Sequence, residues 1–248
     1  MYGKKLDWLE LSQIQVPRIE VGEIHLWWVD LDVPADRCSE FMPMLSPAQL
    51  RRMQRLPGPQ RQNRYLAGRG YLHSLLQAYL PGDSIELEFG ILGKPRLLQA
   101  SRPLHFNFSD TCGRGLFAFT LENSVGVDLE SLSRRGRFQS IIDRRFAPEE
   151  RSCLRKNDPV DFLSCWTRKE AFGKAMGVGL QYPTNEHVLC QSLDKPEHIT
   201  ADQQWCLQQL FLPAMPDDFV ACVASKGQQI KRLVAMSLKE QAVHSAPQ

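Results

Sequence analysis

Residues 125–130, Val125-Gly126-Val127-Asp128-Leu129-Glu130, form an apolar run that closes on two acids. Side chains at i and i+2 of a strand point to the same face. Asp128 and Glu130 therefore stand side by side, and each disfavours ionisation of the other unless positive charge lies near. The stretch reads as a buried strand whose acidic end faces either water or a shared cation.

Working outward, the flanking segments alternate between strand and helix patterns. Upstream, "EIHLWWVDLDV" (Glu23–Val33) is rich in β-formers. Ser46 can cap a helix that has Pro47 at its first position. After the break at Pro57-Gly58-Pro59, Tyr65, Leu66, Leu72, Leu75, Leu76, Tyr79 and Leu80 recur at helical spacing until Pro81-Gly82. "SIELEFG", "LHFNFSD" and "GLFAFTL" alternate as strands, with His105, Asn107 and Ser109 sharing one face of the second. Past Glu122-Asn123 the order recurs: the VGVDLE strand, a basic connector, a helix start at Pro148, a break at "KNDP", and a second helix through Lys174. The repeat predicts an α/β (α+β) fold of two similar α/β halves related by a pseudo-twofold axis, residues 21–123 and 124–248, after an N-terminal extension of residues 1–20. The cleft between such halves is the expected active site.

The bulk composition narrows the function classes. At 248 residues, 43% hydrophobic and 23% charged, the chain is long enough for a substantial core and matches an ordinary globular protein. A net charge of +2 does not indicate nucleic-acid binding. The 7 cysteines are scattered with no Cys-x-x-Cys pair, which argues against a disulfide framework and a structural zinc site. The N-terminus has no apolar core of signal-peptide length, and no apolar run approaches the ~20 residues of a membrane helix. The expectation is a cytoplasmic protein that binds neither nucleic acid nor membrane.

A second motif, "WTRKEAFGKAMGVGL", places Lys169, Glu170 and Lys174 on one helix, with Glu170 and Lys174 a turn apart. Alone, that pair reads as an exposed ion pair rather than a site, and Gly177-Val178-Gly179 as a helix stop rather than a phosphate cradle. Together with the strand, Asp128, Glu130 and Glu170 supply three hard oxygen ligands that suit Mg²⁺ rather than zinc. Three acids and two lysines around one site point to phosphoryl or phosphodiester chemistry, where positioning and charge neutralisation dominate.

The two motifs resemble the paired signature of the 4′-phosphopantetheinyl transferases, Gly-x-Asp-x-Glu followed by Trp-x-x-Lys-Glu-(Ala/Ser)-Phe-x-Lys-x-x-Gly. Three further pieces fall in family order: the basic segment through Arg52 and Arg64, the Gly93-Lys94-Pro95 turn, and "HFNFS" (His105–Ser109). Near the C-terminus, "DDFVACVAS" is similar to a closing strand of the family. The length resembles that of the large monomeric members, of the surfactin-synthetase-activator type. The resemblance implies Mg²⁺-dependent transfer of the phosphopantetheine arm of coenzyme A to a serine of an apo acyl or peptidyl carrier protein, releasing adenosine 3′,5′-bisphosphate. It implies Asp128, Glu130 and Glu170 as metal ligands, Glu170 and Lys174 as catalytic groups, and Lys169 and Lys174 on the coenzyme phosphates. Arg64 would bind the 3′-phosphate with Arg52 nearby, Gly93, Lys94 and Pro95 would lie against the adenine, and Ser109 beside the phosphates.

Two positions depart from the family pattern. Asp110 stands where a histidine usually helps hold a coenzyme phosphate, and an aspartate repels that phosphate; Arg102 or Arg114 could compensate. Val178 stands where a lysine is common. Two other readings stay open: a metal-dependent nuclease, although Glu130-Ser131-Leu132 lacks the lysine such sites carry on the strand, and a non-catalytic coenzyme A binding protein, suggested by Asp110. Arg134, Arg135, Arg137, Arg144 and Arg145, just after the strand, could steer an acidic carrier.

Overall fold

Successive residues of strand β2 (Glu23–Asp30) enter two different cores in the computed structural model of the chain. The structure describes residues 3–238 apart from 91, 137, 156–157, 180–182, 201, 203, 214–217 and 228. Arg137, Leu180 at the end of the second motif and Asp217 at the start of "DDFVACVAS" therefore lie outside the described residues.

On one face of β2, Trp27 and Val29 pack with Phe117 and Phe119 of β6 (Arg114–Thr120) against Leu72, Leu75 and Leu76 of the long helix α3 (Pro59–Tyr79). On the other face, Ile24 and Leu26 meet Val125, Val127 and Leu129 of β7 (Val125–Ser131) together with Leu210 and Val223. Here two sheets pack face to face. One has the strand order β1 (Trp8–Leu11), β11 (Arg232–Leu238), β2, β6, β5 (His105–Thr111); the other runs β7, β10 (Phe219–Lys226), β9 (Trp205–Leu212), β8 (Glu197–Ile199). A short hairpin of β3 (Leu87–Phe89) and β4 (Pro95–Leu97) carries the Gly-Lys-Pro turn. Helix α6 (Pro159–Met176) covers the outer face of the second sheet, so the layers run helix, sheet, sheet, helix. A strand buried on both faces reads as a continuous apolar run, which is what "LWWV" is.

The helix starts follow local chemistry. Ser46 and Gln49 form a capping box at the head of α2 (Pro47–Gln54), with Pro47 at its first position. Asp158 accepts from the amides of Val160 and Asp161 at the head of α6, whose first residue is Pro159. Gly177 ends α6 in the left-handed region at φ 75°. The other α-helices among the described residues are α1 (Ala35–Phe41), α4 (Gln139–Arg145) and α5 (Pro148–Ser152). No described helix is long and apolar enough to cross a membrane.

The structure redraws two boundaries expected from the sequence. Residues 8–11 are not a loose extension, because β1 pairs in parallel with β11, and Lys4 bridges to Leu210. The segment 232–238 does not stay with residues 124–231; as β11 it pairs in parallel with β2 and so belongs to the sheet of the first half. One edge of β2 pairs with β6, and the backbone groups of its other edge find their partners in β11.

One close approach sets the distance between α6 and β7. A β-carbon on Gly126 would fall inside the backbone of Ala171 and Ala175. The expected outcome for Gly126→Ala is a loss of about 1–3 kcal/mol, the usual range for overpacking, read as a lower midpoint in urea with an unchanged slope.

Candidate active site

Because Gly126 lets α6 lie directly on β7, residues on its flank reach the acids of that strand. Lys174 donates to Asp128 Oδ1 at 2.7 Å, to Ser109 Oγ at 2.9 Å and to the carbonyl of Val127 at 3.1 Å. Ser109 Oγ donates in turn to Asp128 Oδ1 at 2.9 Å. Asn107, two residues before Ser109, accepts from the Val127 amide at 2.9 Å and so holds the edges of β5 and β7 together. His105, on the same strand, is exposed.

The other oxygen of Asp128, Oδ2, is buried and has no hydrogen-bond partner. A buried carboxylate oxygen without a partner is costly, and a bound cation would satisfy it. Burial, reinforced by the charge of Asp128, raises Glu170 to a pKa of about 7. The same two causes raise Glu130, which is paired with Arg134. Among the described residues no three acids stand close enough to form a metal cage unaided. The donor set nevertheless fits magnesium, which takes one or two carboxylates and completes its shell with water and substrate phosphate. Asp128 offers the open oxygen that would hold it, and Glu130 and Glu170 would take part through water in its shell.

A cleft of about 280 Å³ opens beside this cluster, lined among others by Arg52, Arg69, Gly93, Lys94, Pro95 and Lys174. Five of the residues expected from the sequence thus share one wall-lined space. Of these, the side chain of Lys94 is engaged elsewhere: its ammonium donates to Ser124 Oγ, the Val125 carbonyl and the Ala175 carbonyl at 2.9–3.0 Å. Burial lowers its pKa to about 8. Lys94 fastens the β3–β4 turn to the start of β7 and the last turn of α6, where a cation also suits the helix dipole.

Three of the expected residues have partners within the protein. Lys169 does not face the cleft; it is 1% exposed, ion-paired to Glu150 at 2.6 Å, and donates to the His187 carbonyl at 3.1 Å. Arg64 grips Asp32 with both arms of its guanidinium, each at 2.6 Å. Ser109 serves Asp128 and Lys174. Sequence reasoning missed Glu150, Asp32 and Arg69. Glu150 sits in a short segment, "APEERS", that reads only as a helix start; the pattern carries no sign of its buried partner. Asp32 looks like any acid after a strand.

Residues 124–224 match the 4′-phosphopantetheinyl transferase superfamily. Over 215 residues, 83% of this chain and 88% of the relative, the sequence is 33% identical to 4′-phosphopantetheinyl transferase HetI of Nostoc sp. (strain PCC 7120). This chain belongs to the 4′-phosphopantetheinyl transferase superfamily. It is also 29% identical over 182 residues, 71% of the chain and 73% of the relative, to the putative 4′-phosphopantetheinyl transferase slr0495 of Synechocystis sp.. A holo-[acyl-carrier-protein] synthase of Syntrophotalea carbinolica shares 43% identity over 67 residues, 24% of this chain and 52% of the relative. As a phosphopantetheinyl transferase the chain is an enzyme, and its family match spans β7, α6 and β10, the elements that carry the acids and Lys174.

Two measurements follow. A carboxyl with a raised folded pKa binds more protons folded than unfolded, so its contribution to stability falls as pH rises from about 4.5 to about 7. In the presence of a chelator, the Tm of Glu170→Gln minus that of the wild type is therefore expected to grow across this window, by thermal scans at pH 4.5, 6 and 7.5; a constant difference contradicts it. Lys169→Met removes the ion-pair partner of the buried Glu150 carboxyl and leaves it only the amides of Ala147 and Leu189, with an expected loss of about 3–5 kcal/mol by urea unfolding.

Proposed function

We propose that this enzyme transfers the 4′-phosphopantetheine arm of coenzyme A to a serine of an apo acyl or peptidyl carrier protein, with Mg²⁺ as cofactor. The observation that carries the reading is the unpartnered buried oxygen of Asp128, held beside Lys174 at the edge of a cleft with a basic and glycine-rich wall. The relatives' names, 4′-phosphopantetheinyl transferase and holo-[acyl-carrier-protein] synthase, support the substrate class.

In this reading the carrier serine oxygen attacks the phosphorus nearest the pantetheine. A new P–O bond forms, the bond to the bridging diphosphate oxygen breaks, and adenosine 3′,5′-bisphosphate leaves. When bound, Mg²⁺ would neutralise charge on the diphosphate. Lys174, already fixed by three acceptors, presents its ammonium where that charge grows. Glu170 takes the serine proton, directly or through a water molecule. The Gly93–Pro95 turn receives the adenine, and Lys94 holds that turn in place from behind. Arg134 and Arg135 flank the acidic end of β7 and favour an acidic partner.

The test is to incubate the protein with Mg²⁺, coenzyme A and apo carrier proteins and to weigh the carrier. A gain of roughly 340 Da on serine, the mass of the arm, is expected. Chelation, Asp128→Asn or Glu170→Gln should each abolish the gain. Cleavage of nucleic acid without carrier modification would instead favour a nuclease.

A further inference from the structure

Strand β7 stands at the edge of its sheet, with β10 beside it on one side. Backbone groups along its other side are taken by side chains. The Val125 carbonyl accepts from Lys94 at 2.9 Å and the Val127 carbonyl from Lys174 at 3.1 Å. The Val127 amide is taken by the Asn107 carboxamide, a group that the transfer chemistry above does not use. Asn107 is 6% exposed, lies on β5, and lines the cleft together with Lys174.

The bond to Val127 settles how the carboxamide is turned. An amide N–H needs an acceptor, so the carboxamide oxygen points at Val127 and the NH2 group is turned from it. Among the described residues nothing accepts from that NH2 group, yet it is not one of the buried polar atoms sealed from solvent. Its N–H bonds therefore open into the cleft that Asn107 lines. A donor almost wholly buried, braced by a backbone bond and open on one side has the form of a preorganised oxyanion donor.

We propose that Asn107 is a further catalytic residue of the transfer: its NH2 group donates to a non-bridging oxygen of the phosphoryl group as the carrier serine attacks. Its oxygen meanwhile braces the β7 backbone one residue before Asp128. The inference rests on the transferase reading. Lys174 and Asn107 hold the same residue, one at its carbonyl and the other at its amide, so a cation and a neutral donor stand side by side. In the transition state the moving phosphoryl group spreads charge over its non-bridging oxygens, which such a pair of donors suits.

Single-turnover modification of an apo carrier protein by the full chain, followed by mass spectrometry at saturating Mg²⁺, reads the donor. Asn107→Asp keeps an oxygen for the Val127 amide and loses the NH2 group. Its rate at saturating coenzyme A is expected to fall about 100-fold or more, the usual cost of one oxyanion donor. The half-saturating coenzyme A concentration should move less than about 3-fold, since the bond forms only as charge develops. Its urea midpoint should stay near that of the wild type. Asn107→Leu, which removes donor and acceptor without adding charge, should lose a comparable rate and also unfold at lower urea. The proposal is overturned if Asn107→Asp stays within about 3-fold of the wild-type rate, if its loss lies mainly in the coenzyme A concentration, or if Asn107→Leu keeps the wild-type rate. A wild-type protein that modifies no carrier overturns the transferase reading itself; an active wild type with an equally active Asn107→Asp overturns only the role of Asn107.

Discussion

The contact on which the site depends is backbone against backbone, where α6 rests on β7 at Gly126. No side chain separates the two elements there, so Ala171 and Ala175 fill the interface and the adjoining flank of the helix overhangs the acidic end of the strand. Lys174 then spans to Asp128, and Glu170, one turn earlier, comes within electrostatic reach of the same carboxylate. A β-carbon at position 126 would lift the helix away, and the acids and the lysine would lose each other before any substrate arrived.

The protein divides its cations between holding the scaffold and facing the cleft. Arg168 and Lys169, adjacent on α6, are both 1% exposed. Arg168 is satisfied by the Gln209 side chain and the carbonyls of Ser192 and Lys195, Lys169 by Glu150. Such buried charges add little net stability when paired but are costly to leave alone, so they fix a single orientation of the helix. Lys94 plays the corresponding part from the first half, joining its hairpin to β7 and α6. Lys174, paired with Asp128, joins Arg52 and Arg69 in lining the cleft. The site thus has an inner set of cations turned into the protein and an outer set along the cleft wall.

The same geometry explains why membership in the transferase superfamily is carried by few residues. Folds host many chemistries, and function is argued from the site. Here the matched span runs from β7 through α6 to β10, which is the smallest set of elements that fixes the acids, the lysine and the sheet beneath them. The N-terminal half adds the β3–β4 turn and the arginines of α2 and α3 to the lining of the cleft.

Much of this was legible in the linear chain, because it rests on local rules. Ser46 with Pro47, Asp158 with Pro159 and Gly177 mark helix ends through their own backbone chemistry, and the alternation in β5 follows from the pleat. The spacing of Asp128 to Glu130 and of Glu170 to Lys174 fixes which side chains share a face, whatever surrounds them. The partner of each charge was not legible, since pairing is decided across long sequence separations. Nothing in the order of residues says that Lys169 turns inward to Glu150, that Asp32 captures Arg64, or that the segment 232–238 returns to pair with β2. Sequence alone determined the elements and the kinds of charge they carry; the tertiary structure decided which charges are cancelled inside and which are left facing the cleft, because that depends on which surfaces the folded chain brings within a few ångströms of one another.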